Sequence, residues 1–282
     1  MDWRRSVTIL IVSFFILNFF LLLDLWYGQK PMDLGFSQAQ QEEIYALMKQ
    51  KGIIVETDLP EKGKPQSFLE LGYEKVNIDK VAASFFGEDA EPSIQSFEGG
   101  KNYTFGSEQL IIMENGIITY FNSFEKTDKV EYTQEQALKT AEDFISKRGG
   151  LPENAILHNI TYDDKSGGYL IEYVRSHDGF FIANSYIDII VTPAGVNSYY
   201  QCWLKPYGYQ GKKREVILPA MAVLRVKDIY ENSEPLTITK IEQGYYSRFF
   251  NADRWQAAPV WRIQLKSGEN YYINAFTGEL EQ

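Results

Sequence analysis

The chain has 282 residues, a single cysteine and a formal net charge of −10. Because one cysteine cannot form an intramolecular disulfide, each domain must be held together by its own hydrophobic core. The acidic balance argues against nucleic acid as a partner and against electrostatic adhesion to anionic envelope polymers.

The chain opens with a long apolar run. The seventeen residues from Val7 to Leu23 are interrupted only by Thr8, Ser13 and Asn18. A helix extended to Trp26 would be about 30 Å long, the thickness of a hydrocarbon core. This length predicts a transmembrane helix. A cleaved signal peptide is the alternative, but bulky residues occupy the place where small ones would mark a cleavage site.

Basic residues flank this run unequally. Arg4 and Arg5 precede it and only Lys30 follows closely, so the positive-inside rule predicts a cytoplasmic N-terminus. The residues from about Gly28 onward are then predicted to lie outside the cell membrane, in a single-pass arrangement with an extracellular C-terminal domain.

A polar residue in the middle of the run points to a partner helix. An unpaired Asn18 amide is strongly unfavourable in hydrocarbon, so it should find an acceptor in another helix or within its own. Six positions follow the spacing of a left-handed helix pair. We predict them as a partner-binding seam: Thr8, Ile11, Phe15, Asn18, Leu22 and Leu25.

Three similar successions of helix and strands are predicted after this run. In the first, Ser37 and Gln40 form a capping box for a helix that ends before Gly52. A second helix runs from about Asn77 to Gly87. The strongest local hairpin signal comes next, where the dipeptide Asn-Gly at positions 115 and 116 predicts a type I′ turn between strands 110–113 and 117–121.

The second succession begins with another capping box. Thr133 and Gln136 flank the start of a helix that ends at Gly149 and Gly150. Strands are predicted after it, separated by turn residues, which indicates an antiparallel meander. Their ranges are 155–162, 168–176, 180–191 and 196–204.

The third succession begins at Pro219, a residue suited to the first turn of a helix. Its strands are predicted near 236–246, 259–266 and 270–275 and at the last residues. In strand 259–266 apolar and polar residues alternate, so one face should be buried and the other exposed to solvent. The apolar set is Trp261, Ile263 and Leu265, and the polar set is Arg262, Gln264 and Lys266.

Together these elements predict an α+β protein with a single N-terminal transmembrane helix. An extracytoplasmic region of antiparallel sheets packed with short helices would follow it, as repeated helix-plus-meander modules. Residues 1–30 are predicted as cytoplasmic tip and anchor, 31–131 as a first lobe and 132–282 as a second. Segment 207–214, which is basic and contains glycine, is an alternative break or a long exposed hairpin loop.

Residues that could carry catalysis are few and scattered. His158 and His177 are nineteen positions apart, with no second ligand at helical or hairpin spacing, so no metal site is predicted. Cys202 lies between aromatic residues and is expected to be a small buried hydrophobic residue. Asp163 and Asp164 are typical of a hairpin turn. We therefore predict no catalytic residues, no metal and no cofactor.

The N-terminal region resembles one family. The opening MDW followed by basic residues, the run ILIVSFFILNFFLL with its central asparagine, and an outer part of about this size are similar to YycI proteins. This resemblance implies a regulator without chemistry of its own, encoded beside the YycG/YycF (WalK/WalR) two-component system of Gram-positive bacteria with low genomic GC. The implied partners are the sensor histidine kinase YycG and the accessory protein YycH. The resemblance implies contact mainly through transmembrane helices, tuning signalling that controls cell-wall metabolism.

The C-terminal segment PVWRIQLKSGENYYINAFTGELE has a resemblance of its own. It is similar to the closing hairpin of PepSY-type domains, whose last strands end in a related turn. This similarity implies an alternative function, namely an envelope binding module that inhibits or anchors a protease or binds wall fragments.

Overall fold

The computed structural model describes residues 14, 17–19, 38–123, 132–230, 235–248 and 252–281. The helices named in these ranges are α1 (Gln38–Gln50), α2 (Ile78–Phe86), α3 (Gln134–Ser146) and α4 (Pro219–Ile229). The first seven strands are β1 (Ile53–Val55), β2 (Gln66–Tyr73), β3 (Ser93–Phe97), β4 (Gly100–Phe105), β5 (Glu108–Met113), β6 (Ile118–Asn122) and β7 (Ala155–Asp163). The remaining strands are β8 (Gly168–His177), β9 (Phe180–Thr192), β10 (Gly195–Cys202), β11 (Leu204–Arg214), β12 (Leu236–Tyr246), β13 (Arg254–Leu265) and β14 (Asn270–Asn274).

These fourteen strands form one mixed sheet. Its main path runs β11-β2-β13-β12-β9-β10-β6-β5-β4-β3, with β1 beside β12, β14 beside β13, β8 beside β9 and β7 beside β8. Most neighbouring strands are antiparallel, whereas β12 is parallel to both β1 and β9.

The predicted fold class is wrong. Instead of separate antiparallel sheets, the strands of all three successions share a single mixed sheet. Within the described residues, no helix combines the length and the apolar content needed to cross a membrane. Turn residues predict hairpins only between strands that are neighbours in sequence. The parallel pair of β1 with β12 joins Ile53 to Leu236, and no local turn signal predicts a pairing at that distance.

The predicted anchor and its seam fall almost entirely outside the described residues. Of residues 1–30, only Phe14 and residues 17–19 are described, and these are helical. The boundary near Glu131 also lies outside the described ranges, so the division into two lobes stays a prediction. Backbone pairing does cross that position, because β1 pairs with β12, β2 with β11 and β13, and β6 with β10.

Local signals place α2, α3 and α4 as predicted, while Ser37, the predicted cap of α1, lies outside the described residues. The Asn77 side chain accepts a hydrogen bond from the backbone N–H of Lys80 at the start of α2. Thr133 and Gln136 form the predicted capping box of α3, and Pro219 occupies the first turn of α4. Such caps stabilise a helix end by hydrogen-bonding backbone N–H groups that lack an intrahelical partner.

Most strands of the second and third successions also lie close to their predicted ranges. Strand β13 begins earlier than predicted, at Arg254, and Leu280 forms an isolated bridge in place of the predicted terminal strand. Segment 207–214 is neither a linker nor an exposed hairpin loop, since it belongs to β11 and pairs with β2. The pairing partner of this segment lies more than a hundred residues earlier in the chain, at Leu69 for Tyr209. No turn signal in the sequence links β11 to β2, so their pairing could not be predicted.

The β5–β6 hairpin is confirmed, but its turn differs from the prediction. Gly116 has a φ of +84°, whereas Asn115 is not among the described residues with positive φ. The Gly116 N–H donates to the Met113 carbonyl at 3.0 Å, and the Met113 N–H donates to the Ile117 carbonyl at 2.9 Å. The loop is therefore a three-residue turn with glycine in the left-handed position, not a type I′ turn.

Helices cover the sheet in two places, and each place has a hydrophobic core. Helices α2 and α3 pack on β4, β5, β8, β9 and β10. The buried residues of this first core include Tyr103, Leu110, Ile112, Phe144, Ile171, Ile187 and Ile189. Helix α4 packs on β13 and β14, and α1 lies beside β1. The second core includes Met48, Ile53, Val223, Val226, Leu236, Trp261 and Ile263.

The alternation predicted along 259–266 is confirmed except at Arg262, since Lys266 is exposed and Gln264 is half-buried. Trp261, Ile263 and Leu265 are buried, as predicted. Arg262, predicted to face solvent, is only 2% exposed. The charged side chain instead contacts residues of β7, β9 and β12.

Candidate partner-binding cleft

A cleft of about 730 Å³ opens where strands from distant parts of the sequence meet. The end of β2, the β3–β4 turn, the β5–β6 turn, β11 and the start of β13 all contribute to it. The lining residues are Tyr73, Glu74, Lys75, Gly99, Met113, Glu114, Asn115, Lys205, Tyr207, Asp253 and Arg254.

Hydrogen bonds between loops fix one wall of the cleft. The Glu114 N–H donates to the Gly99 carbonyl at 2.8 Å, and the Val76 N–H donates to the Glu114 carbonyl at 3.3 Å. A Cβ at Gly116 would lie 2.7 Å from the Glu74 carbonyl oxygen. Glycine is therefore required there both for its positive φ and for this close backbone approach.

A second glycine and a stacked arginine form the opposite wall. A Cβ at Gly72 would lie 2.4 Å from the Asp253 carbonyl oxygen, so glycine lets the start of β13 approach β2. The Arg254 guanidinium lies 3.8 Å from the centroid of the Tyr207 ring. It also lies 3.6 Å from a carboxylate oxygen of Glu70. Stacking on an aromatic face holds the guanidinium in place while its edge stays available.

Charges of both signs line the cleft in equal number. The acids are Glu74, Glu114 and Asp253, and the bases are Lys75, Lys205 and Arg254. The Lys205–Glu74 ion pair, at 3.5 Å, has both side chains about half exposed. Exposed pairs of this kind contribute about 0–1 kcal/mol each. A partner could therefore replace this ion pair with pairs to its own charged groups, at little cost to the stability of the folded chain.

Beneath the cleft lie neutral aromatic and thiol groups. The Tyr73 and Trp255 rings are 5.2 Å apart. Burial raises the pKa of the Tyr73 hydroxyl, with further contributions from Cys202 and Tyr200. Burial also raises the pKa of the Cys202 thiol to about 11, so this cysteine is the small buried hydrophobic residue that was predicted and stays protonated at neutral pH.

One residue of the predicted seam is described by the structure, and it does not line this cleft. Asn18 is the only seam residue that the structure describes, and its side-chain amide donates to the Phe14 carbonyl at 2.8 Å. This is the intrahelical alternative recognised from the sequence. The other five positions lie outside the described residues and stay predictions: Thr8, Ile11, Phe15, Leu22 and Leu25.

The two histidines lie apart, and among the described residues no group of three or more His, Cys, Asp or Glu side chains is placed to hold a metal ion. His158 Nδ1 lies 3.2 Å from Arg262 Nη2 and 3.5 Å from Lys240 Nζ. Burial, together with the charges of Arg262 and Lys240, lowers the pKa of His158 to about 4. His158 is therefore neutral at physiological pH. His177 lies beside Asp178 and against the Tyr209 ring.

Arg262 is the centre of a buried charged cluster. It forms an ion pair with Glu242, which also pairs with Lys240 at 3.0 Å. The Arg262 guanidinium lies 3.8 Å from the centroid of the Phe181 ring. Burying an arginine without a partner would be strongly unfavourable, so Glu242 and the aromatic face account for its position.

A second pair of charged groups lies on β8 and β9. Glu172 and Asp188 are directly opposite each other in the antiparallel ladder. Burial, together with the charge of the neighbouring Glu172, raises the pKa of Asp188 to about 7. Directly opposed like charges destabilise a sheet, and protonation of Asp188 relieves that repulsion.

Sequence reasoning found the turn that lines the cleft but not the cleft itself. Asn115 was singled out as a turn residue, and Asp163 was correctly predicted as a turn residue elsewhere, where its carboxylate accepts from the N–H groups of Lys165 and Ser166. Tyr73, Lys205 and Arg254 carried no local signal. They come together only through the pairing of β2 with β11 and β13, which is long-range in sequence.

The fold and the cleft define a helix-on-sheet protein with a charged surface suited to contact with another molecule. The family model described as "YycI protein" matches residues 34–276, and the chain belongs to the YycI family. Membership makes it a regulatory accessory protein of the WalK/YycG two-component system.

Solved structures support the fold. The chain is similar to an uncharacterized protein from Eubacterium rectale ATCC 33656, with a TM-score of 0.50 and 14% identity over 77% of this chain and 86% of that one. At this identity the likeness concerns the fold alone. Among curated proteins, none matches the chain.

Proposed function

We propose that this chain adjusts the activity of the YycG (WalK) sensor kinase by binding, together with the accessory protein YycH, on the outer side of the cell membrane. The observation that carries this proposal is the family match over residues 34–276. The charged cleft is the surface we assign to partner contact.

The mechanism requires only a difference in affinity. If the kinase has two arrangements and this protein binds one better than the other, it shifts their populations by that difference. A coupling of about 1–3 kcal/mol, which corresponds to about 5- to 150-fold, is sufficient for regulation. The cleft suits such a role because its ion pairs are exposed and its arginine is held by stacking on Tyr207. Partner charges can then replace the internal ones.

The test measures the phosphorylated fraction of the response regulator YycF (WalR) in cells. Deleting the gene for this chain should change that fraction, and the wild-type gene should restore it. The double variant Lys205→Glu/Arg254→Glu should fail to restore it, because both cations lie in the cleft. The matched control Lys139→Glu/Lys147→Glu makes the same charge change at two exposed positions outside the cleft and should restore it.

Two results would contradict different parts of the proposal. An unchanged phosphorylated fraction after deletion would contradict regulation of the kinase. Full restoration by the cleft variant, with a clear effect of deletion, would retain kinase regulation but remove the cleft from it.

A further inference from the structure

Strand β3 forms one outer edge of the sheet. In the described structure it pairs only with β4, and all five of its residues are exposed. An edge strand presents unpaired backbone N–H and C=O groups to any extended chain that comes alongside.

The register shows which backbone groups point outward. Phe97 pairs with Gly100 across a two-residue turn, so these two residues exchange hydrogen bonds. Alternation then directs the N–H and C=O of Gln95 toward β4, and those of Ile94 and Ser96 away from the sheet. The next hairpin agrees, because Phe105 pairs with Glu108 across its own two-residue turn.

Two other outer strands of the described sheet, β11 and β7, carry features that block pairing. In β11 the ladder is interrupted after Pro206, and its end is basic at Lys212, Lys213 and Arg214. In β7 the register shifts at His158. Strand β3, with the sequence SIQSF, has no charge, no proline and no register shift. Proteins commonly protect their edges with such features, and β3 lacks them.

Exposed apolar side chains accompany the free edge. Ile94 is 55% exposed and Phe97 is 43% exposed, and Phe105 on the neighbouring strand is 46% exposed. These side chains lie on both faces of the edge. A strand added beside β3 would bury them as well as pair with its backbone.

The charges around β3 indicate the chemistry of its partner. Glu88, Asp89, Glu91 and Glu98 flank the strand, are exposed, and form no ion pair within the described part of the chain. The nearest lysine, Lys101, is already paired with Asp79 at 2.7 Å. Pairing of two copies through β3 would place these acids against each other. The charges therefore favour a partner strand flanked by lysine or arginine.

We propose that β3 is a docking edge for an extended segment of another protein. That segment is uncharged and β-branched at its centre and basic on both sides, and it adds to the sheet as a further strand. This surface adjoins the charged cleft at Gly99 in the β3–β4 turn, and its test does not depend on the identity of the kinase.

The test uses the full chain and a labelled synthetic peptide, Lys-Lys-Thr-Val-Thr-Val-Thr-Lys-Lys, with binding followed by fluorescence anisotropy. Ser96→Pro removes one outward N–H and leaves the β3–β4 ladder intact, since proline is tolerated on edge strands. It should weaken binding by about tenfold, the effect of losing about 1.4 kcal/mol. Lys212→Pro, the matched control in β11, should change binding by less than about twofold.

Two peptide controls keep the proposal testable even if Ser96→Pro unfolds the protein. N-methyl groups on alternate residues of the peptide should abolish binding to the wild-type chain, and replacing the four lysines by glutamate should weaken it. Absence of saturable binding by the wild type, equal binding of the N-methylated peptide, or equal loss in Lys212→Pro would overturn the proposal. A dimer of the chain that Ser96→Pro dissociates would also overturn it, in favour of a second copy as occupant.

Discussion

At the scale of single residues, the burial of a side chain depends on its three-dimensional surroundings, which the sequence pattern does not contain. Alternation in β13 correctly predicted the burial of Trp261 and wrongly predicted an exposed Arg262. A period of two identifies opposite faces of a strand, but only tertiary packing determines whether the second face is covered. Phe181 and His158, which cover Arg262, come from strands about 80 and 100 residues earlier.

The stability of the protein should fall when His158 is forced to accept a proton. Its pKa is lowered to about 4 in the folded state, against about 6.5 when unfolded. The unfolded chain therefore binds more protons between these values, and folding weakens as pH falls from 6.5 to 4. His158→Gln should reduce this loss in urea unfolding at pH 7 and pH 4.5. An unchanged difference between the two pH values would contradict this assignment.

Asp188 should have the opposite pH dependence. Its raised pKa, about 7, means that the folded protein holds a proton which the unfolded chain has released. Stability from this group is therefore present below about pH 4 and is lost as pH rises to 7. Asp188→Asn should raise the free energy of unfolding at pH 8 by about 2–3 kcal/mol relative to its effect at pH 5. Equal effects at both pH values would show that Asp188 is ionised throughout.

Removing one partner of the Arg262–Glu242 pair should lower the free energy of unfolding more than replacing both partners by apolar residues. Arg262→Met leaves Lys240 as the remaining ion-pair partner of Glu242 and should lower the free energy of unfolding by about 3 kcal/mol. The double variant Arg262→Met/Glu242→Met removes both charges and should be more stable than the single variant. A double-mutant cycle in guanidinium chloride measures this coupling. Additive losses would contradict a direct interaction.

At the scale of elements, the helices were predictable because their signals are local. The capping box of α3 involves only Thr133 and Gln136, three residues apart, and it appears in the structure as the sequence indicated. Strands were predictable where hairpins join them, as in β8 and β9. Strands β2 and β11 were not, because each is paired with a strand far away in sequence.

The N-terminal cap of α3 should make a measurable contribution to the free energy of unfolding. Thr133→Ala removes the side-chain acceptor for the Gln136 N–H and should lower the free energy of unfolding by about 1 kcal/mol. Thr133→Ser retains a hydroxyl and should lose much less. Equal losses for alanine and serine would indicate that packing of the threonine methyl group, not capping, is responsible.

At the scale of the whole molecule, the sheet creates the cleft by pairing strands from the beginning and end of the chain. Strand β2 lies between β11 and β13, and this arrangement brings Tyr73 beside Lys205 and Arg254. No sequence motif predicts that these three residues lie side by side. The regulatory class followed instead from the family resemblance, which the match over residues 34–276 confirmed.

The central claim is that this regulatory protein contacts its partners through the charged cleft. The most direct measurement is photocrosslinking in living cells from a photoreactive residue at position 207, on the exposed rim formed by Tyr207, with position 139 on α3 as the control. The account predicts that the YycG kinase or YycH is captured from position 207 and not from position 139. Capture of neither protein from position 207, or equal capture from both positions, would contradict it.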